Sequence, residues 1–181
     1  MFLGLCALAL IALVPLTGGS LSRVAALPFR GVRLLLAALL LQVLVISVFT
    51  SLPRVVAVVG HIGSYGMLAV VLWLNRRLPG VAVIAAGAAA NGVTIAVNGG
   101  TLPASASALR AAGIHLREGF DNSGIVAHPH LAWLGDVMVT PSWLPMRNML
   151  SIGDLLLLAG ACVLVMVSSR TSVAPAPAEV G

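Results

Sequence analysis

Apolar residues in this chain come in long runs broken by short polar punctuation, and the runs have the length of a membrane crossing. Roughly 20 residues at about 1.5 Å each traverse the ~30 Å of hydrocarbon in a bilayer. Five stretches approach that length: Met1–Leu21, Leu34–Leu52, Val55–Leu74, Leu78–Val97 and Met149–Val167. Pro15, Gly18 and Gly19 predict an early end to the first. Asp154, inside the last, has to sit at its mouth or face protein. The pattern therefore predicts an all-α integral membrane bundle of five transmembrane helices over residues 1–170. One long outer-face loop, 98–148, interrupts it, and an Ala/Pro-rich tail at 171–181 is predicted to be a disordered cytoplasmic segment.

The long loop is where specific function is to be sought. Ser105 to Leu116 has the pattern of a short surface helix, with Ser105 as cap and Leu109, Ala112 and Leu116 on one face. Gly124 to Thr140 is too polar to span. With Trp133 and the later Trp143 it reads as a segment lying in the headgroup layer or dipping shallowly into the bundle.

Composition sharpens the choice of solvent. Of 181 residues, 60% are hydrophobic and 8% charged, against about 25% charged in an ordinary soluble domain. The net charge of +5 comes with no lysine, and the arginines are scattered at helix ends without a basic tract, which argues against nucleic acid. If five helices alternate, Arg23, Arg30, Arg33, Arg76, Arg77 and Arg170 share one side, and Arg54, Arg110, Arg117 and Arg147 the other. Cytoplasmic loops retain arginine, so the expected orientation is N-out, C-in. The first run lacks a basic leader and a small-x-small cleavage site, so it is expected to be retained as a helix. Cys6 and Cys162 lie within apolar runs and suggest neither a disulfide nor a zinc site. The expected partners are membrane lipid and, beyond it, another membrane protein; no cofactor is indicated.

Polar side chains inside or beside the runs are the candidates for chemistry. Asn91, Thr94 and Asn98 recur along one helical stripe. They read either as an interhelical hydrogen-bond seam or as the wall of a ligand cavity opening at Asn98, Gly99 and Gly100. His61 sits among Gly60, Gly63, Ser64 and Gly66, where small residues favour close packing; a proton relay is the alternative. His128 and His130, with His115 and Asp121, have the residue types of a metal site but a weak pattern, and no metal is expected. Asp136 and Asp154 form the sharpest pair. Two neighbouring carboxylates that share a proton supply an acid and a base for activating water. Equally, each follows Gly, and Ser151 with Asp154 fits a helix capping box.

Three segments carry a likeness to a known family: LTGGSLSRVAALPFRGVRLLLAALLLQVL, ANGVTIAVNGGTLPASASALRAAGI and DNSGIVAHPHLAWLGDVMVTPSWLPMRNMLSIGDLLLLAG. They resemble the bacterial membrane proteins grouped as domain-of-unknown-function family 5317, and span most of residues 16 to 160. The family usually follows Asn-Gly-Gly with a Met-Pro-Val-Ser-Pro-Glu type segment. Here TLPASASA stands in that place, so Leu102, Ala104, Ala106 and Ser107 depart and the cap of the following helix is weakened. The resemblance implies a multi-pass protein of a bacterial cytoplasmic membrane and no particular reaction. A more local likeness joins Leu-Gly-Asp136 and Ser-Ile-Gly-Asp154 to signal peptidase II, which also pairs an outer-loop aspartate with one at the mouth of its last helix. Gly153 replaces an alanine and Ser151 an asparagine of that pattern, and the stretch from Asn98 to Asn122 has no room for two intervening helices.

Two main readings follow. One is a non-enzymatic accessory, assembly or ligand-binding membrane protein with an outer-face polar pocket that includes Asn91, Asn98, Gly99, Gly100 and Asn122. The other is a membrane-embedded aspartyl hydrolase using Asp136 and Asp154. A solute transporter, a third class, would need polar residues meeting at mid-membrane, for which Gln42 and Asn91 are the candidates.

Overall fold

The computed structural model describes residues 2–49, 52–114, 122–144 and 147–171. The expectations for His115, Leu116, Arg117, Asp121 and the tail from residue 172 fall outside these residues. Seven α-helices dominate: α1 (Phe2–Leu16), α2 (Leu21–Ala25), α3 (Val32–Val43), α4 (Arg54–Leu74), α5 (Val81–Val97), α6 (Ala106–Ala112) and α7 (Ile152–Arg170). A π-helical turn, Leu44–Val48, prolongs α3. All five apolar runs are helical, but with different ends. The first stops at Leu16, where Gly18 takes a left-handed conformation just after Pro15. Two helices, α4 and α7, are both long and apolar enough to cross a membrane; α1, α3 with its π turn, and α5 are shorter.

Contacts along their lengths show that α3 and α4, α4 and α5, and α5 and α7 run antiparallel, while α1 lies parallel to α7. At one end, Gly31 before α3 lies against Leu74 and Val71 of α4, while Gly60 of α4 lies against Val45 in the π turn. The closest approach joins α5 to α7. Gly80 sits against the Gly160 carbonyl, and a Cβ on Gly87 would stand 2.6 Å from the Gly153 carbonyl. Glycines seven residues apart on each helix thus bring two backbones into direct contact, a geometry that small residues allow and larger ones forbid. α1 ends beside the end of α7, where Ser20 N–H donates to Ser169 O (3.0 Å) and Arg23 to Arg170 O (3.0 Å).

Two asparagines fasten the ends of the bundle in the same way. Asn75, just after α4, donates to Val71 O (2.8 Å) and Arg30 O (2.7 Å) and accepts from Arg30 N–H (2.8 Å). Asn98, just after α5, donates to Thr94 O (2.7 Å) and His130 O (2.8 Å) and accepts from His130 N–H (2.8 Å). Each amide donates to a carbonyl in the last turn of its own helix and pairs with both backbone groups of a crossing segment. The Asn75 end gathers Arg30, Arg76 and Arg77 from its loops and Arg33 from the first turn of α3.

At the Asn98 end, the segment expected to be one long loop has structure of its own. Strand β1 (Leu102–Pro103) pairs in parallel with β2 (Ser123–Gly124), and β3 (Met138–Val139) pairs antiparallel with β4 (Met149–Leu150). A bridge between Ala104 and Asp136 joins the two pairs. Ser105 caps α6 by accepting from Ala108 N–H (3.0 Å), as its position before the helix predicts. α6 then buries Ala108, Leu109 and Ala112 with Ala104 and Met149 in a small apolar core. This layer lies across the ends of α5 and α7.

Candidate functional site

Between this layer and the helices lies a cavity of about 590 Å³, within the range typical of small-molecule sites. Its polar lining includes Asn91 from α5, Asn122 and Ser123 from β2 and the residue before it, Asp136, Asn148 and Asp154. Gln42 of α3 and Tyr65 of α4 contribute from the bundle, and Leu3, Leu39, Ile46, Leu68, Ala88 and Leu157 give the rest an aliphatic surface.

Local structure fixes each carboxylate differently. Asp136 is held through its backbone, donating N–H to Pro103 O (2.8 Å) and accepting from Ser105 N–H (3.1 Å). Gly135 makes this register possible, since any Cβ there would strike the Pro103 carbonyl. The Asp136 side chain is only 6% exposed. Its Oδ2 accepts from the Ser123 hydroxyl (2.6 Å), and Oδ1 has no hydrogen-bond partner among the described residues. Burial pushes its pKa up to about 6; the Ser123 hydrogen bond pulls the other way, and the Asp154 charge adds to the rise.

Asp154 is half-buried and fully engaged. Its Oδ2 accepts from Ser151 N–H (3.0 Å), and Ser151 Oγ accepts from Asp154 N–H (3.0 Å), a complete capping box at the start of α7. Its Oδ1 accepts from Asn91 Nδ2 (3.0 Å), while Ser151 Oγ donates to Asn91 Oδ1 (2.9 Å). Asn91 therefore reads the capping box of α7 from the facing helix. Capping and cavity lining coexist in one aspartate.

The polar stripe of α5 divides. Asn91 reaches α7 and the cavity, Thr94 donates to Ala90 O (2.8 Å) within its own helix, and Asn98 forms the clamp on His130. Gly99 and Gly100 make the turn after α5. The Gly100 carbonyl accepts from buried His61 Nδ1 (3.0 Å), and a Cβ on Gly100 would meet Val58 at 2.7 Å. Asn98, Gly99 and Gly100 thus hold the turn and are not among the cavity's lining residues, whereas Asn91, Asn122, Asp136 and Asp154 share it. His61 packs edge-on to Tyr65, with ring centroids 5.6 Å apart, and its imidazole also interacts with the Asn122 side chain. His128 and His130 are exposed, and no group of three His, Cys, Asp or Glu gathers among the described residues.

Tyr65, Ser123 and Asn148 line the cavity without having stood out in the sequence. Tyr65, the single tyrosine, offered a signal by falling in an apolar run. Ser123 and Asn148 offered none, being ordinary loop residues until the fold brings them to Asp136.

The family model described as a family of unknown function, DUF5317, matches residues 26–166. The chain belongs to the DUF5317 family. That match covers the cavity's polar residues together with both asparagine clamps. An uncharacterized protein of Thermotoga maritima is 29% identical over 114 residues, covering 62% of this chain and 66% of the relative, so the chain spans just under two thirds of that protein. No solved structure matches. Membership in DUF5317 brings no reaction with it, and the cavity has to be read on its own chemistry.

Proposed function

We propose that this DUF5317 protein is a multi-pass membrane protein that binds an amphipathic molecule with a cationic or hydrogen-bond-donating head in the aspartate-lined cavity. In this reading α1, α3 with its π turn, α4, α5 and α7 all cross the bilayer, N-out and C-in. Support comes from the alternating helix directions and from large outward apolar residues such as Leu8, Val55 and Trp73. The bias of Arg23, Arg30, Arg33, Arg76, Arg77 and Arg170 toward one end gives the orientation. The layer with the cavity then faces outside, and the exposed Trp133 and Trp143 suit the headgroup region.

The observation that carries the ligand reading is Asp136 Oδ1, a buried acceptor with no hydrogen-bond partner among the described residues, in a cavity shared with a second carboxylate. Buried polar atoms are almost always satisfied, so such an atom calls for a further donor, which a ligand in the cavity would supply. The aliphatic remainder of the cavity would take an alkyl portion. The test is thermal unfolding of the purified protein with dodecylamine or dodecanoate. We expect stabilisation by the amine alone, stronger at pH 7.5 than at pH 5 because Asp136 ionises at about 6, and lost in Asp136→Asn. Equal shifts with both amphiphiles, or an amine effect that survives Asp136→Asn, would reject the reading. Single cysteines placed at Arg76 and Trp133 in a background lacking Cys6 and Cys162 test the topology. They should label from opposite sides.

A second reading, an aspartyl hydrolase of membrane peptides, is favoured by one feature: burial and Asp154 hold Asp136 near neutrality, as an acid beside a base. Against it, both Asp154 oxygens are occupied by Asn91 and Ser151. Asp136→Asn leaves the capping box intact, so cleavage of a membrane-inserted lipopeptide that disappears in this variant would support hydrolysis. Unchanged cleavage would end it.

A further inference from the structure

At the opposite end of the molecule, two adjoining concavities have complementary chemistry. The first is an apolar groove of about 430 Å³ between α4 and α5, walled by Ile62, Tyr65, Leu72, Trp73 and a row of alanines and glycines. The second, of about 400 Å³, lies at the turn after α4 and is lined by Arg30, Arg76 and Arg77 with Asn75. Arg76 belongs to both. Its guanidinium lies 4.3 Å from the Trp73 ring centroid and donates to Trp73 O (3.0 Å). The arginine is thereby held at the junction instead of trailing into solvent.

We propose that this pair of cavities is a binding site for an anionic phospholipid, its phosphate among Arg30, Arg76 and Arg77 and one acyl chain along the α4–α5 groove. Charge complementarity selects the headgroup: three arginines line the polar cavity, and guanidinium forks match phosphate oxygens. Asn75, which could compete for the phosphate, is already committed to Arg30 and Val71. The groove selects a chain. From Ile62 to Trp73 it follows α4 for roughly 17 Å at 1.5 Å per residue, enough to match the ~15 Å depth of one hydrocarbon leaflet. Alanine and glycine walls leave space for methylenes that larger side chains would fill. A free phosphate would use the arginines and leave the groove unexplained. The site rests on the bilayer-spanning reading and on neither interpretation of the aspartate cavity.

Trp73 is a built-in reporter. In a Trp133→Phe/Trp143→Phe background it is the remaining tryptophan of three. The protein is reconstituted in phosphatidylcholine vesicles with a small fraction of chain-brominated phosphatidylglycerol or chain-brominated phosphatidylcholine. Quenching is normalised to vesicles without bromine. The anionic lipid should quench Trp73 as though enriched about thirtyfold, the preference that Arg30 and Arg77 together confer near an anionic headgroup while Arg76 is engaged with Trp73. Arg30→Gln/Arg77→Gln should remove most of that preference while leaving the Arg76 stack. Ala82→Leu/Ala89→Leu, which fills the groove, should lower it with the arginines in place. Equal quenching by the two brominated lipids would overturn the lipid site alone. Loss of the preference in the presence of inorganic phosphate would also overturn it, by showing that the arginines serve a free anion. Absence of quenching by either lipid would overturn the site together with the membrane placement of α4.

Discussion

The two sides of α7 teach opposite lessons about what neighbouring residues can do. Gly153 and Gly160 face α5 at backbone contact, with no room for a methyl group. Asp154 and Leu157, one turn of helix apart, line a cavity of about 590 Å³. A single helix thus supplies a rigid seam and one wall of a partly polar cavity, and Asn91 belongs to both. The seam fixes Asp154 through Asn91; across the cavity Asp136 Oδ1 has no hydrogen-bond partner among the described residues. A rigid seam beside a cavity is the arrangement expected of a preorganised binding site.

Breaking the seam should produce the largest effect. A Cβ on Gly160 would stand 2.6 Å from Ile84 N and 2.8 Å from Gly80 O, both fixed by helix geometry. Gly160→Val can be accommodated only by prying α5 from α7. We expect a loss of about 3 kcal/mol or more, at or above the upper end of what overpacking usually costs, because backbone and not side chain must give way. Purification should yield little monodisperse protein, and unfolding in a denaturing detergent titration should shift accordingly. A variant with wild-type unfolding would show that the seam is not a backbone contact.

The cavity should answer to pH instead. Asp136 has its pKa raised to about 6 from 3.8, so the folded state holds a proton that the unfolded chain has released. The stability this proton confers is fully present below about pH 4 and is lost as pH rises through about 6. The decline across that window is at most about 3 kcal/mol, and Asp136→Asn should remove it. Thermal unfolding of both proteins from pH 4 to pH 7.5 measures the difference. Stability that rises through that window for the wild type alone would mean that Asp136 is held as a favourable charge, with Oδ1 paired.

This contrast was only partly written in the sequence. Long charge-free runs specify helices because a single side-chain property repeats over many residues, so all five apolar helices were legible. The capping box was legible for a similar reason: Ser151 and Asp154 are three apart and act locally. Cavity membership is different in kind. Asp136, Asn148 and Ser123 meet only because Ala104 bridges to Asp136 and β3 pairs with β4, and nothing periodic announces such long-range contacts. The stripe of Asn91, Thr94 and Asn98 was visible as a spacing, yet each side chain serves a different partner. Asn75 escaped notice altogether, since an isolated amide after a helix has no pattern until Arg30 arrives against it.

The smallest effects separate glycines that are spaced alike along α4. Gly60 lies against the π turn of α3, where a Cβ would meet Val45 Cγ2 at 2.9 Å; Gly63 has nothing within 4 Å. In a soluble helix, Gly63→Ala would be expected to stabilise by about 0.5–1 kcal/mol through backbone entropy. Within a bilayer the separated helix remains helical, because its backbone groups have no other partners. That entropic gain should then nearly vanish. We expect Gly63→Ala to fall within about 0.5 kcal/mol of wild type and Gly60→Ala to cost about 1 kcal/mol, as Val45 yields. Both are measurable by denaturing detergent titration in lipid-containing micelles. A clear gain from Gly63→Ala would mean that α4 folds from coil, and so would count against its placement in the membrane.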